Sequence, residues 1–425
     1  MNAPESARND ALPPRHRVVV TGLGALTCAG NTVDAMWNSL VNARSGIRTI
    51  RTFDTRGLTL DFGGEVRGFD PAETLQREWS DRLERFSQFS LAVGLEALQH
   101  AGIDPDSQSC LDAAVFVGNG HGTNLPYKDE VVGSACGNPH WATPALLPRI
   151  LYYNASAALA RRIGAGGPRC VICSACASGS LAIERAWRCV RRGGAPLALA
   201  VGTEANLDPF GIRFLGGMRA LASPCPDPTR ASRPFDRARS GFVLAEGAAA
   251  LVLESLEHAR HRGADLLAEL RGCGGAANAE SLYDPQSAGP AGAMRLAIRN
   301  AQVAPDAVDA IFAHATATPL GDPAEIEAIR LALGPAAART LITAPKSLLG
   351  HAIAASGSLG AVQCVMAIRT GVVPPTINCD DPDDFAAGLN IVRNVAASRQ
   401  VRAALCNAFG FGGANAAAVF GRFTG

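Results

Sequence analysis

Cys176 follows an apolar run, Cys170-Val-Ile-Cys173, and opens the small-residue segment Ala177-Ser-Gly-Ser-Leu-Ala-Ile-Glu. A cysteine at the start of a helix lies over unpaired N–H groups, which favour thiolate over thiol. That is a nucleophile's seat, although a buried cysteine can equally be a small hydrophobe, as most of the other cysteines would be. His314 ends the strand-like run Ile311-Phe-Ala and precedes the hydroxyls of Thr316 and Thr318 and the carboxylates of Asp322 and Glu325. His351 stands five residues after Lys346, between Gly350 and an alanine-rich helix, so a cation and an imidazole share an apolar setting. A thiol, two imidazoles and a lysine with candidate carboxylate partners are groups suited to covalent transfer and proton movement. Phe409-Gly-Phe-Gly-Gly-Ala-Asn415 sets glycines around Phe411, so that backbone N–H groups can approach an oxyanion; a tight connection between two strands would use the same residues.

Two other patterns are set aside. Cys170, Cys173 and Cys176 have C-x2-C-x2-C spacing, but residues 170 and 173 of an extended strand face opposite sides, and Ser180 and Leu181 stand where an iron–sulfur run needs Cys-Pro, so no metal site is read. Gly22-Leu-Gly24 follows a strand, yet Thr27 occupies the third glycine of a dinucleotide loop.

These groups need strands to carry them. The first half of the chain runs RVVVTGLGALT (17–27), AAVFVGNGHG (113–122), CVICSACASGSLAIERAWRCVRRG (170–193) and LALAVGTEA (197–205). The second half runs LLAELRGCGGAAN (266–278), DAIFAHATATPLGD (309–322), LITAPKSLLGHAIAASGSLGAVQCVMAIRTG (341–371) and ALCNAFGFGGANAAAVF (404–420), in the same order. Both halves hold a strand running straight into a small-residue helix, and continuous apolar strands of this kind lie in sheets covered on both faces. The pattern predicts two similar α/β halves, 17–265 and 266–425, after a frayed N-terminus at 1–16. In open parallel sheets chemistry gathers beyond the carboxyl ends of the strands, where Cys176, His314, Lys346, His351 and the 410–413 glycines all fall.

Composition is compatible with this. A chain of 425 residues with 48% hydrophobic content can bury a large core, and a net charge of +1 provides no global field toward nucleic acid or an anionic membrane. No apolar run approaches the roughly 20 residues of a membrane span. The opening residues carry no secretory h-region and the 12 cysteines are too dilute for a disulfide scaffold, so a cytoplasmic location is expected.

Five segments, taken together, resemble the β-ketoacyl-acyl carrier protein synthase family of the second, elongating type. They are Ser174-Ala-Cys-Ala-Ser-Gly, Arg233-Pro-Phe-Asp-Arg-Ala-Arg-Ser-Gly-Phe-Val-Leu-Ala-Glu-Gly, His314-Ala-Thr-Ala-Thr-Pro-Leu-Gly-Asp, Lys346-Ser-Leu-Leu-Gly-His and Asn407-Ala-Phe-Gly-Phe-Gly-Gly-Ala-Asn. The resemblance implies a thiolase fold, a duplicated five-layered α/β/α/β/α arrangement, normally homodimeric. It implies Cys176 as acyl-accepting nucleophile, with the N–H groups of Cys176 and Phe411 as oxyanion hole. His314 and His351 would hold the malonyl thioester carbonyl during decarboxylation, and Lys346 would order the site through a charge pair involving Glu325, with Asp322 in support. Thr316 and Thr318 would bind the phosphopantetheine arm, Phe409 and Phe411 would line and gate the acyl pocket, and no cofactor or metal would be needed. The partner it implies is acyl carrier protein, which is acidic; Arg219, Arg77 and Arg82 are the candidate docking residues, and a heterodimer with a homologous ketosynthase is the alternative assembly.

His121 stands where the resemblance calls for an aliphatic residue against the acyl chain. An unpaired imidazole there costs of order 1 to 3 kcal/mol and favours a short, unsaturated or oxygenated chain, unless His121 turns to a backbone partner. Ala315, Ala354 and Asn278 are further departures. The rival expectations are a thiolase-fold acyltransferase that forms no carbon–carbon bond and a non-catalytic subunit that shapes a heterodimer's tunnel; the histidines with Lys346 argue against the first, and Cys176 against the second.

Overall fold

The repeated order of apolar runs is realised as one strand pattern used twice. The computed structural model describes residues 15–75, 77–122, 135–137, 149, 151–281 and 284–425. Residues 1–14 of the expected frayed terminus lie outside these; His16 is tied down, its N–H donating to Arg191 O at 2.9 Å.

Strands of the first half are β1 (Val18–Thr27), the ribbon β2 (Arg48–Thr49) and β3 (Phe62–Gly63), β4 (Ala114–Asn119), β5 (Arg169–Ile172), β6 (Leu197–Glu204) and β7 (Gly247–Ser255). Those of the second are β8 (Ala268–Ala277), β9 (Ala310–Phe312), β10 (Leu341–Thr343), β11 (Val372–Val373), β12 (Asn390–Ile391), β13 (Ala397–Ser398), β14 (Ala403–Phe409) and β15 (Ala414–Gly421). Numbered along the chain, the described helices are α1 (Val33–Val41), α2 (Pro71–Leu75), α3 (Arg77–Ser80), α4 (Arg85–His100), α5 (Tyr153–Arg162), α6 (Ser178–Arg191), α7 (Pro209–Gly217) and α8 (Leu256–His261), then α9 (Ala288–Ala301), α10 (Gly321–Leu333), α11 (Lys346–Leu349) and α12 (Ala355–Thr370).

In the first half β5, β4 and β6 are parallel neighbours, followed by antiparallel β7 and β1. In the second, β10, β9 and β14 are parallel, followed by antiparallel β15 and β8. A short β1–β8 pairing, Val19 opposite Glu269 and Val20 opposite Ala268, joins the two sets. Each half is therefore mixed rather than purely parallel. The continuous apolar runs of the sequence did not separate β14 from β15, and β7 was missed because its Ala-rich run, Gly247-Ala-Ala-Ala-Leu-Val-Leu, has no turn signal in front of it.

Three apolar clusters define the layers. One packs α4 and α5 on the first sheet, another packs α9 and α10 on the second, and the largest fills the middle around α6 and α12. This is the five-layered α/β/α/β/α thiolase arrangement.

The middle layer is thin where the site lies, because small residues allow the backbones to touch. A Cβ built on Gly118 would stand 2.3 Å from the Ser178 carbonyl carbon, and one on Gly179 would stand 2.5 Å from Ala354 O. Gly118→Ala should therefore push β4 away from the first turn of α6, lowering stability in chemical denaturation by about 1 to 3 kcal/mol; an unchanged midpoint would mean that this approach is not tight.

Candidate active site

β5 ends in a sharp elbow before α6. Ala175 takes φ 46°, an uncommon conformation for a residue with a Cβ, and the turn is pinned by Ser178 Oγ, which accepts from Ser174 N at 2.8 Å and donates to Ala175 O at 2.6 Å. The elbow presents Cys176 at the floor of a cavity of about 350 Å3 that opens to the surface.

The second half delivers the other groups by equivalent means. The loop after β9 is held by carboxylates: Glu325 accepts from His314 N at 2.8 Å and Ala315 N at 2.6 Å, while Asp322 accepts from Ala317 N at 3.0 Å and Phe235 N at 2.9 Å. After α11, Gly350 at φ 73° turns the chain so that His351 N reaches Val243 O at 2.7 Å. His351 Nδ1 lies 2.9 Å from Ser356 Oγ, and its Nε2 lies 3.0 Å from Cys176 Sγ. The His314 ring stands edge-on to it at 5.4 Å, and Phe242 backs it at 5.1 Å. Ala317 and Ile353 also take positive φ, 65° and 36°, so each of the three groups has a left-handed residue within three positions. Such conformations cost of order 1 to 3 kcal/mol each, and surrounding contacts must hold them.

Electrostatically the centre is set by burial. Burial pushes the Cys176 thiol up to about 12, while the charge of Lys346 and the N–H of Phe411 pull it down. The expected helix-terminus depression of the thiol is thus outweighed by desolvation. Burial, reinforced by Lys346, holds His314 and His351 well below their usual range, so both are neutral.

The expected residues fall into place unevenly. Thr316, Thr318, Phe409, Phe411 and exposed Arg219 line the cavity, with Arg219 at its rim. Phe411 is 41% exposed, and its N–H is directed at the Cys176 sulfur. Lys346 is behind the cavity wall, donating to Ala313 O at 3.4 Å; no direct ion pair joins it to Glu325 among the described residues, because that carboxylate is filled by two backbone N–H groups and by Asn407 Nδ2 at 3.0 Å. Their coupling acts through space, Glu325 holding the lysine's charge against burial. His121 does not line this cavity. It stands with its ring 6.2 Å from that of Phe214, its backbone N–H on Glu204 Oε1 at 3.3 Å. Arg77 and Arg82 are exposed but are not part of the cavity wall.

Glu204, Phe242, Ser356 and Asn407 were not singled out from sequence. Glu204 had a legible signal, an acid closing the apolar run Leu197-Ala-Leu-Ala-Val-Gly-Thr; it is buried, and burial pushes its carboxyl up to about 8.

A duplicated α/β fold with one cysteine and two histidines meeting between its halves defines a thiolase-fold acyl-transferring enzyme. The chain belongs to the β-ketoacyl synthase family: it matches "Beta-ketoacyl synthase, N-terminal domain" over residues 15–259 and "Beta-ketoacyl synthase, C-terminal domain" over 267–380. It is 35% identical to a 3-oxoacyl-[acyl-carrier-protein] synthase 2 of Vibrio cholerae, over 96% of this chain and 99% of that protein. Among solved structures, the ishigamide ketosynthase/chain length factor aligns at TM-score 0.88 and 33% identity, covering 96% of this chain and all of the other. A type II ketosynthase in complex with its acyl carrier protein aligns at TM-score 0.88 and 30% identity, with the same coverage.

Because both imidazoles are held well below 6.5, neither should protonate between pH 8 and 6. Imidazole 15N shifts, assigned by comparison with His314→Ala and His351→Ala, should stay at neutral-tautomer values across that range; a midpoint above 6.5 for either would contradict the burial argument.

Proposed function

We propose that the chain is a 3-oxoacyl-acyl carrier protein synthase that condenses a Cys176-bound acyl group with malonyl-acyl carrier protein. The observation that carries this reading is the 3.0 Å approach of His351 Nε2 to Cys176 Sγ, with the His314 ring 5.4 Å from that of His351, at the floor of one cavity.

In the first half-reaction Cys176 attacks the thioester of an acyl carrier protein. Its resting thiol is protonated, so the proton must leave as sulfur attacks, and His351 Nε2 is within reach to take it. The proton then goes to the departing pantetheine thiol. Ser356 Oγ can donate or accept, so it serves either tautomer of His351. Negative charge on the acyl oxygen falls between the N–H groups of Cys176 and Phe411.

In the second half-reaction malonyl thioester enters along Thr316 and Thr318. Carbon dioxide leaves, and the enolate oxygen is held by N–H groups of His314 and His351, since a neutral imidazole still offers one N–H donor. The enolate carbon attacks the acyl carbon, the Cys176 sulfur departs as thiolate and takes up a proton from solvent, and a β-ketoacyl-carrier protein two carbons longer is released. The residues' own chemistry completes this cycle with substrates carried on phosphopantetheine. Arg219 at the rim suits an acidic carrier protein, and assembly with a second ketosynthase chain, identical or homologous, accords with the relatives described above.

Intact mass after incubation with acyl-carrier protein should show an adduct that Cys176→Ala abolishes and that malonyl-carrier protein converts to a longer chain. His314→Ala should lower carbon dioxide release by about 10²- to 10³-fold, the scale of a lost oxyanion donor. An adduct that never extends would favour simple acyl transfer, and no adduct with any carrier would favour the tunnel-shaping subunit.

A further inference from the structure

Lys346 is part-buried with its ammonium enclosed by the protein, yet that ammonium has one hydrogen bond among the described residues, the 3.4 Å contact to Ala313 O. An ammonium has three donors, and leaving two of them unmet away from water is costly. Beside it is a second cavity, of about 20 Å3, separate from the substrate cavity. Its polar walls are Lys346, Ser356, Gln363 and Asn407.

The shape follows from one face of α12. Ser356, Gly360 and Gln363 recur at helical spacing on that face, and Gly360 leaves the space open; a Cβ there would stand 2.8 Å from Cys406 Sγ. Asn407 supplies an acceptor. Its Nδ2 donates at 3.0 Å to Glu325 Oε1, and a carboxylate filled by N–H donors fixes which way the amide points, so Oδ1 is turned elsewhere and is buried without a partner. Gln363 is 3% exposed and offers both a donor and an acceptor. A site holds a water when it has roughly 10 to 15 Å3 or more of room and two to four polar partners, and both conditions are met here.

We propose that one ordered water occupies this cavity, accepting from Lys346 Nζ and donating to Asn407 Oδ1, and that Gln363 holds it there as a positioning residue for Lys346. The water solvates the lysine's charge inside the protein. That charge faces Glu325 and Asp322 from α10, Cys406 from β14, the Cys176 elbow, and the neutral rings of His314 and His351. It favours the Cys176 thiolate, so whatever sustains it makes the thiol easier to ionise. Losing the water lets the lysine give up its proton at lower pH, and Cys176 then ionises less at any given pH.

The proposal rests on reading Cys176 as the acyl-transfer centre, but alkylation of the thiol reports on Lys346 whether or not chain extension occurs, so the two can fail separately. A high-resolution crystal structure of the full chain should show a single water peak within hydrogen-bond reach of Lys346 Nζ and Asn407 Oδ1. The rate of iodoacetamide attack on Cys176, followed by peptide mass between pH 6 and 10, should fall about tenfold at pH 8 in Gln363→Met, with the profile displaced by about one unit toward higher pH. Gln363→Glu, which retains an acceptor at the same reach, should remain within about threefold of the parent. A dry cavity in the parent structure would overturn the proposal, as would a Gln363→Met profile that superimposes on the parent's while the protein melts normally. If Gln363→Met does not fold, the parent structure still decides it, a water peak at that place supporting the proposal and a dry cavity overturning it.

Discussion

The contact on which the site depends crosses the molecule's own internal boundary. Cys176 comes from the first half and His351 from the second, 175 residues later, and they meet at 3.0 Å. Nothing local can set that distance. It is fixed by how closely α6 and α12 approach, which in turn depends on residues without side-chain bulk between them, such as Gly179 against Ala354 O. The small-residue composition of both segments is the condition for a thiol and an imidazole from different halves to share a hydrogen bond.

Burial then sets the protonation of everything in the centre. The thiol is raised and both imidazoles are lowered, so the resting site is neutral apart from Lys346 and the carboxylates near it. Charge appears only when substrate brings it, as an acyl oxyanion or an enolate, and it meets N–H groups already in place. Glu325 and Asp322 contribute to this without entering the cavity chemistry: each straightens the loop that carries His314 by taking backbone N–H groups that would otherwise be buried unpaired.

Much of this was legible in the order of residues. The two-fold recurrence of apolar runs announced the duplicated halves, and Cys176, His314 and His351 stood out by falling at strand ends. Antiparallel β7 and β15 were not legible, since an apolar run buried on both faces looks alike whichever way its neighbour points. The lysine's surroundings were also hidden. A charge pair between Lys346 and Glu325 is a natural reading of two opposite charges, but pairing is decided by hydrogen-bond competition, and the backbone of residues 314 and 315 takes the carboxylate first. The ring neighbour of His121 was hidden too: Phe214 comes from a helix almost a hundred residues further on, a contact that no local pattern announces.

The matched strand orders of the two halves have a consequence for how such a centre can arise. β5 leading into α6 and β10 leading through α11 toward α12 hold equivalent places in the two copies, yet one connection carries Cys176 and the other carries Lys346 and His351. Two identical subunits meeting about a symmetry axis would present two like turns to each other, and any replacement in one would appear in both. Linking the copies in a single polypeptide removes that tie: one turn can specialise as electron-pair donor and its twin as proton handler, and the inherited geometry brings the unlike pair face to face.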